Sequence, residues 1–164
     1  MQLYVKSFFN KYAVYNLEGV SVGNIKRKFL NAASLEICAA DGEKIVTVQQ
    51  KEESILLEKQ GEVWGPYAFN YTNEDGEPAY SSLVRPPRVQ HIEMDSQYGI
   101  ITIVQHTNRT FHAYIQKKEV CTIIHMLKCK KEILVVSDRI SLETIMTLFA
   151  VCLFMLHDDD ISIV

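Results

Sequence analysis

Residues Ser141 to His157 read SLETIMTLFAVCLFMLH, and this stretch decides the fold of the chain. Its polar side chains lie near its start, at Glu143, Thr144 and Thr147. Ser141 is a suitable N-cap, and a carboxylate in the first turn suits the helix dipole. Beyond Ile145 every side of the predicted helix is apolar. A helix without a polar face is buried either in a protein core or in lipid.

The length of this helix distinguishes a protein core from a bilayer. A helix over Leu142–Leu156 would be roughly 22 Å long, whereas a hydrocarbon layer is ~30 Å thick and takes ~20 apolar residues to span. Three aspartates, Asp158 to Asp160, then end the apolar run. The sequence therefore predicts a buried core helix over about 141–157 and no stable transmembrane span, with a membrane anchor as the alternative.

The composition is that of one globular domain. The chain has 164 residues, of which 48% are apolar and 23% charged, so we expect a single domain over residues 1–164. The net charge of −3 argues against general nucleic-acid binding. Four widely spaced cysteines, and Lys6 within an otherwise apolar start, indicate reduced thiols in a cytoplasmic protein rather than a secreted disulfide framework.

Before the helix, the chain is a series of short segments rich in β-branched and aromatic residues. No stretch of 10–15 residues with helical periodicity separates them, and this pattern argues against a parallel βαβ architecture. About a dozen strands in one small domain are typical of a sandwich or barrel. The candidate strands are Gln2–Phe9, Tyr12–Leu17, Val20–Phe29, Ser34–Ala40, Lys44–Gln50, Ser54–Lys59, Tyr67–Thr72, Pro78–Val84, Val89–Asp95, Gly99–Gln105, Thr110–Gln116, Val120–His125 and Glu132–Ser137.

Glycine turns between these segments indicate sequential hairpins. Gly19, Asp41-Gly42 and Asp75-Gly76 each lie between two candidate strands. An Asp-Gly pair is typical of a type I′ turn, which needs positive φ at two residues. Sequential hairpins in this number predict an up-and-down sheet that closes on itself and so removes its edges.

Closure of the sheet and burial of the helix fit together. A barrel of about eight strands is filled by its own side chains, and wider barrels leave space inside. A helix of ~10 Å diameter could fill that space. We therefore predict a mainly β fold: a closed antiparallel barrel of about 12 strands around a buried hydrophobic C-terminal helix.

Clusters of basic residues are the candidate binding sites. Lys26, Arg27 and Lys28 end the third candidate strand, and Arg85 and Arg88 flank a rigid Pro-Pro turn. Guanidinium groups bind phosphate in a bidentate manner, and lysines contribute point charges. These five residues form the predicted anionic-ligand site, with a solvated rim as the alternative. Further basic residues precede the helix, at Lys128, Lys130, Lys131 and Arg139.

Catalytic and metal-binding motifs give weaker signals. The chain contains no GxSxG elbow, P-loop or GxGxxG. Cys121, His125 and Cys129 share a four-residue spacing but lack the CxxC pair of a zinc site, so we interpret them as core residues. His106 and His112 either pair across a hairpin or belong to a solvated loop. We expect no catalytic residue, metal or cofactor, although an enzyme with an unrecognised surface cleft stays an alternative.

The overall pattern resembles that of a known group, the tubby C-terminal-like superfamily, and within it the LURP-one-related proteins. The stretch YAVYNLEGVSVGNIKRKFL over Tyr12–Leu30 and the stretch LEICAADGEKIVTVQQK over Leu35–Lys51 carry this resemblance. Both follow an order of strand, acidic-glycine turn and strand. The third element is FAVCLFMLHDDDISI over Phe149–Ile163, an apolar helix followed by aspartate and isoleucine.

The resemblance implies a closed barrel of about twelve strands around a central helix and no enzymatic activity. Tubby domains bind phosphoinositides through a basic surface pocket, so the implied function is binding of an anionic lipid headgroup or a protein partner. The implied location is cytoplasmic, with a peripheral membrane location as a variant. A scramblase-like membrane protein is the alternative, but this chain lacks the cysteine cluster and calcium loop of scramblases.

Overall fold

The structure is a computed structural model, and it describes residues 1–8, 11–28, 31–72, 89–106, 110–124, 130–136 and 138–156. These residues form twelve strands and one helix. The strands are β1 (Gln2–Phe8), β2 (Lys11–Asn16), β3 (Ser21–Lys28), β4 (Asn31–Ala39), β5 (Lys44–Lys51), β6 (Ser54–Lys59), β7 (Glu62–Asn70), β8 (His91–Ser96), β9 (Gly99–Gln105), β10 (Thr110–Ile115), β11 (Lys118–Ile124) and β12 (Lys130–Val135), and the helix is α1 (Leu142–Met155).

Each strand pairs antiparallel with its neighbours in sequence, and β1 pairs with β12 to close the barrel. The predicted fold is therefore confirmed. Because the strands alternate in direction, all turns from an even-numbered to an odd-numbered strand lie at one end of the barrel. Helix α1 begins at this end, after β12, and we call it the upper end. The turns from odd-numbered to even-numbered strands lie at the lower end.

Helix α1 is buried inside the barrel. Its residues from Ile145 to Cys152 are at most 9% exposed, and Phe149 is completely covered. The ring of Phe149 meets that of Tyr12 edge to face, with centroids 6.0 Å apart. The predicted core helix is confirmed. Within the described part of the chain, no helix combines the length and the apolar character that a membrane span requires.

The start of α1 is fixed by polar contacts at the upper end. The Ser141 hydroxyl accepts a hydrogen bond from the Thr144 backbone N–H at 3.2 Å, which confirms Ser141 as the N-cap. The Ser141 backbone N–H donates to the Tyr98 hydroxyl at 2.9 Å. An ion pair joins Lys59 of β6 to Glu143. The wall and the helix are therefore connected by polar contacts as well as by packing.

Gly23 allows the wall to approach the helix closely. A Cβ atom at this position would lie 2.7 Å from Met146 Sδ and 2.8 Å from the Cys38 carbonyl oxygen. Both distances are shorter than real carbon contacts, so a larger residue would displace the Met146 side chain and the backbone of the neighbouring strand.

Strand β7 begins at Glu62, five residues before the predicted start at Tyr67. The sequence Gly65-Pro66 resembles a turn, but here it lies within the strand at an irregularity in its pairing with β6. Gly65 adopts a φ of +104°, and a Cβ there would lie 2.7 Å from the Ile55 carbonyl oxygen. The other described strands differ from prediction by a few residues at their ends, and the candidate strand Pro78–Val84 lies outside the described residues.

Asp41-Gly42 lies in the predicted hairpin, between the antiparallel strands β4 and β5, but the turn is not of type I′. Positive φ is confined to Gly42 in this turn, at +91°, because the loop is longer than two residues. The Ala39 N–H donates to the Glu43 carbonyl, and the Asp41 carboxylate accepts from the Glu43 N–H. Two consecutive positive φ values occur instead at Gln116-Lys117, at +51° and +66°. Asp75-Gly76 lies outside the described residues.

Candidate functional site

The outer wall of the barrel over β1 to β5 carries a group of lysines that we call the lysine face. Side chains alternate between the two sides of a strand, so the burial of Ile25 inside the barrel places Lys26 outside. The same alternation, together with the cross-strand register, assigns Lys6, Lys11 and Lys28. Lys44 follows a bulge between β4 and β5, and the contact of its ammonium group with Glu36 places it on the same wall. The lysine face comprises Lys6, Lys11, Lys26, Lys28 and Lys44.

Two rows of cross-strand neighbours bring these lysines together. In the first row Lys11 lies opposite Lys26, which in turn lies opposite Glu36. In the second row Lys6 and Lys44 lie at the two ends, and three small residues stand between them: Ala13, Asn24 and Cys38. Neighbouring strands are ~4.8 Å apart, so the lysines lie within reach of one ligand surface.

The small residues in the middle of the lysine face are covered although they point outward. Ala13 is 6% exposed, Asn24 8% and Cys38 3%. Long lysine stems can cover such positions while their ammonium groups remain in water. The electrostatics of Cys38 agree: burial raises the pKa of its thiol, while nearby Lys26 and Lys44 partly oppose that rise. The lysines therefore surround this row of small residues.

Among the described residues of these two cross-strand rows, Glu36 supplies the carboxylate. Its Oε1 lies 3.3 Å from Lys28 Nζ and 4.0 Å from Lys44 Nζ. One carboxylate is thus shared between two ammonium groups. Lys6 is held differently, with its Nζ 5.3 Å from the centre of the Tyr15 ring. The face keeps an excess of positive charge on a chain whose net charge is −3.

The structure divides the predicted basic residues between different places. Lys26 and Lys28 lie on the lysine face, but Arg27 occupies the alternate side of β3 and pairs in register with the buried Leu35. Arg27 is therefore separated from the two lysines that flank it. Lys131 lies opposite Val5, and its Nζ is 5.3 Å from the centre of the Tyr12 ring. Because the Tyr12 ring contacts Phe149 inside the barrel, Lys131 points into the lower end.

Several predicted positions lie outside the described residues, namely Arg85, Arg88, His125, Lys128 and Cys129. Sequence reasoning missed Lys6, Lys11 and Lys44 because each stands in a different strand. The alternation within each predicted strand, combined with hairpin register, is the signal that could have grouped them.

A second polar cluster lies on the outside of β10 and β11. The Nδ1 atom of His112 is 2.6 Å from Glu119 Oε1, and the same oxygen accepts a hydrogen bond from the Thr122 hydroxyl. These contacts hold the pKa of Glu119 below its usual value, with the Thr122 hydrogen bond as the largest cause. His106 packs edge to face on His112, with ring centroids 4.6 Å apart, so the two histidines do pair across the hairpin.

The cysteines are placed for packing. Burial raises the pKa of Cys121 to about 12, and it raises the pKa of Cys152 in the helix well above its usual value. Both side chains therefore remain neutral thiols, which are poor nucleophiles and poor metal ligands. Within the described ranges, no group of three His, Cys, Asp or Glu side chains is arranged to hold a metal ion.

Comparison with protein-family models and with curated proteins gives no match. Among solved structures, the chain is similar to an X-ray structure of a protein from Arabidopsis thaliana. The TM-score is 0.56 at 9% sequence identity, and the match covers 92% of this chain and 88% of the Arabidopsis chain. This likeness supports the barrel fold over almost the whole chain and carries no information on function.

Proposed function

We propose that the chain is a non-enzymatic binding domain whose lysine face binds the phosphate groups of anionic lipid headgroups. This proposal rests on the five lysines that lie together on one outer wall of the barrel. In the two cross-strand rows of described residues that connect them, Glu36 is the single carboxylate. A lysine near an anionic membrane surface contributes about 1 kcal/mol to binding. Several lysines on one face therefore supply enough energy for reversible attachment.

An exposed aromatic residue supports a lipid surface as the ligand. Phe8 lies at the lower end of β1, opposite Lys11 in register, and is 52% exposed. An apolar side chain beside ammonium groups can enter the headgroup region while the lysines meet the phosphates. The resemblance to the tubby C-terminal-like superfamily points to the same class of ligand.

The burial of α1 bears on the scramblase-like alternative. An anchor formed by this helix would have to leave the barrel and expose the core residues that it covers. Surface binding through lysines requires no such change, because their side chains already point outward. The geometry therefore favours a peripheral contact over insertion of the helix.

Vesicle co-sedimentation tests the proposal. Vesicles of phosphatidylcholine alone are compared with vesicles that also contain phosphatidylserine or phosphatidylinositol 4,5-bisphosphate. We expect binding to the anionic vesicles that weakens at high salt, because exposed charges are screened.

A matched pair of variants locates the surface. Lys11→Gln with Lys26→Gln removes two charges from the lysine face and should weaken binding about tenfold or more. Lys117→Gln with Lys118→Gln removes the same charge from exposed positions on the β10–β11 turn and should leave binding nearly unchanged. Equal losses in both variants would show a general charge effect and contradict the proposed surface.

A further inference from the structure

At the upper end, the barrel lumen is wider than helix α1. An open cleft of about 560 Å³ lies between the first turns of the helix and the wall from β5 to β9. Its floor is apolar and includes Leu57, Met94, Ile101 and Leu148. Small-molecule sites typically measure about 300–1,000 Å³ and combine an apolar lining with a few polar groups. The cleft has the size and lining of such a site.

Trp64 is the aromatic side chain of this cleft. It lies opposite Leu57 in register, on the side of β7 that faces the lumen, yet it is 47% exposed. An inward-facing aromatic residue of a barrel is normally covered by the core. Here α1 packs mainly against β4, β5 and β9, so the indole beside β6 is left at the edge of the cleft. A ligand in the cleft would cover it.

Three donors at the start of α1 are already occupied. The Thr144 N–H donates to the Ser141 hydroxyl, and the Thr147 hydroxyl donates to the Glu143 carbonyl at 2.9 Å. The ammonium group of Lys59 is paired with the Glu143 carboxylate. An anionic ligand would therefore have to displace existing contacts to use any of these three donors.

A cation, in contrast, meets complementary groups. Among the described residues that line the cleft, Glu62, Asp95 and Glu143 are acidic and Lys59 is basic. Glu62 shares the inward side of β7 with Trp64. Asp95 lies at the rim, because alternation with the buried Met94 places its side chain on the outward side of β8. The face of an indole ring attracts cations through its quadrupole, and tryptophan is the strongest of the aromatic residues in this respect. We propose that the cleft binds a small organic cation with an apolar body, of the alkylammonium class. The apolar part contacts the floor, and the cationic head lies near Trp64 and the carboxylates at the rim.

Intrinsic fluorescence gives a direct test, because Trp64 is the one tryptophan of the whole chain. The protein is titrated at constant ionic strength with hexyltrimethylammonium, with 1-hexanol and with hexanesulfonate. These probes share an apolar body and differ in charge. We expect saturable quenching by the cation with an affinity about tenfold higher than for the alcohol, and the weakest binding for the sulfonate. Equal responses to the three probes, or none to the cation, would overturn the proposal.

Substitution of a cleft carboxylate separates the cleft from the rest of the surface. Glu62→Gln should weaken binding of the cation several-fold. The control is Glu58→Gln, which removes the same charge from an exposed carboxylate that points outward from the adjoining strand β6. An unchanged affinity in the first variant, or an equal loss in the control, would refute the assignment. Lys11→Gln with Lys26→Gln should not alter this binding, so the result is independent of the lysine face.

Discussion

Phe149 gives the sharpest test of the central helix, because the same helix supplies a matched control. The side chain of Phe149 is completely buried and packs on Tyr12. Phe154, one turn and a half further along α1, is only partly buried. Truncation of each to alanine removes the same atoms from two different environments. If α1 fills the barrel as described, the two variants should differ strongly in stability.

The expected magnitudes follow from burial. Replacing a fully buried phenylalanine by alanine costs about 3–5 kcal/mol. Loss of the edge-to-face contact with Tyr12 contributes about 0.5–1.5 kcal/mol beyond the loss of buried area. Phe154→Ala removes a side chain that is still partly in water, so we expect a loss of about 1–2 kcal/mol. For a domain of this size, 1 kcal/mol shifts the melting temperature by about 2–4 °C.

Urea unfolding followed by circular dichroism measures both losses, and Trp64 fluorescence provides a second probe. The slope with denaturant should stay constant while the midpoint falls. Phe149→Ala should therefore unfold at a clearly lower urea concentration than Phe154→Ala. Equal destabilisation of the two variants, or a greater loss from Phe154→Ala, would refute the placement of the helix.

Three further predictions use the same unfolding assay. Gly23→Ala should lower the free energy of unfolding by about 1–3 kcal/mol, because the new methyl group meets the Cys38 carbonyl oxygen. This backbone oxygen cannot move aside as the Met146 side chain can. An unchanged stability would contradict the close approach. Gln105 is fully buried, and neither atom of its amide group has a hydrogen-bond partner among the described residues. Gln105→Met should therefore leave stability unchanged or raise it by about 1–2 kcal/mol; a marked loss would reveal an important polar contact. The pKa of Glu119 is lowered in the folded state, so its carboxylate stabilises the fold at pH values above the ordinary glutamate pKa. This contribution is lost as the pH falls through the folded-state pKa, so the stability difference between the wild type and Glu119→Gln should shrink on acidification. A stability difference that is independent of pH would contradict this prediction.

The fold was predictable because its signals are local and repeated. A helix that is apolar on all sides cannot lie on a surface, and many short β segments joined by tight turns favour a closed sheet. The residues that misled the prediction are those at which one local pattern permits two structures. Gly65-Pro66 resembles a turn, yet the chain uses the positive φ of Gly65 to continue β7 through an irregular pairing.

The candidate sites depend on contacts that the sequence does not encode locally. Lys26 and Lys28 were identified as a cluster, but Lys6, Lys11 and Lys44 join them only through cross-strand register. Arg27 was grouped with its neighbours in the sequence, although alternation along β3 places it on the other side. A run of adjacent charges in a strand is therefore divided between two faces, whereas charges from distant strands assemble on one.

The cleft at the upper end has the same cause as the need for a central helix: the lumen of the barrel is wider than the groups that fill it. A lumen enclosed by twelve strands is too wide for its own side chains to fill, and one helix fills only part of it. Because α1 packs mainly towards β4, β5 and β9, the space beside β6 to β8 remains open and keeps Trp64 in contact with solvent. The lysine face occupies the outside of β1 to β5, so the proposed lipid contact and the proposed cation site use different surfaces. Ligands of opposite charge could then bind at the same time, each attracted by its own part of the barrel.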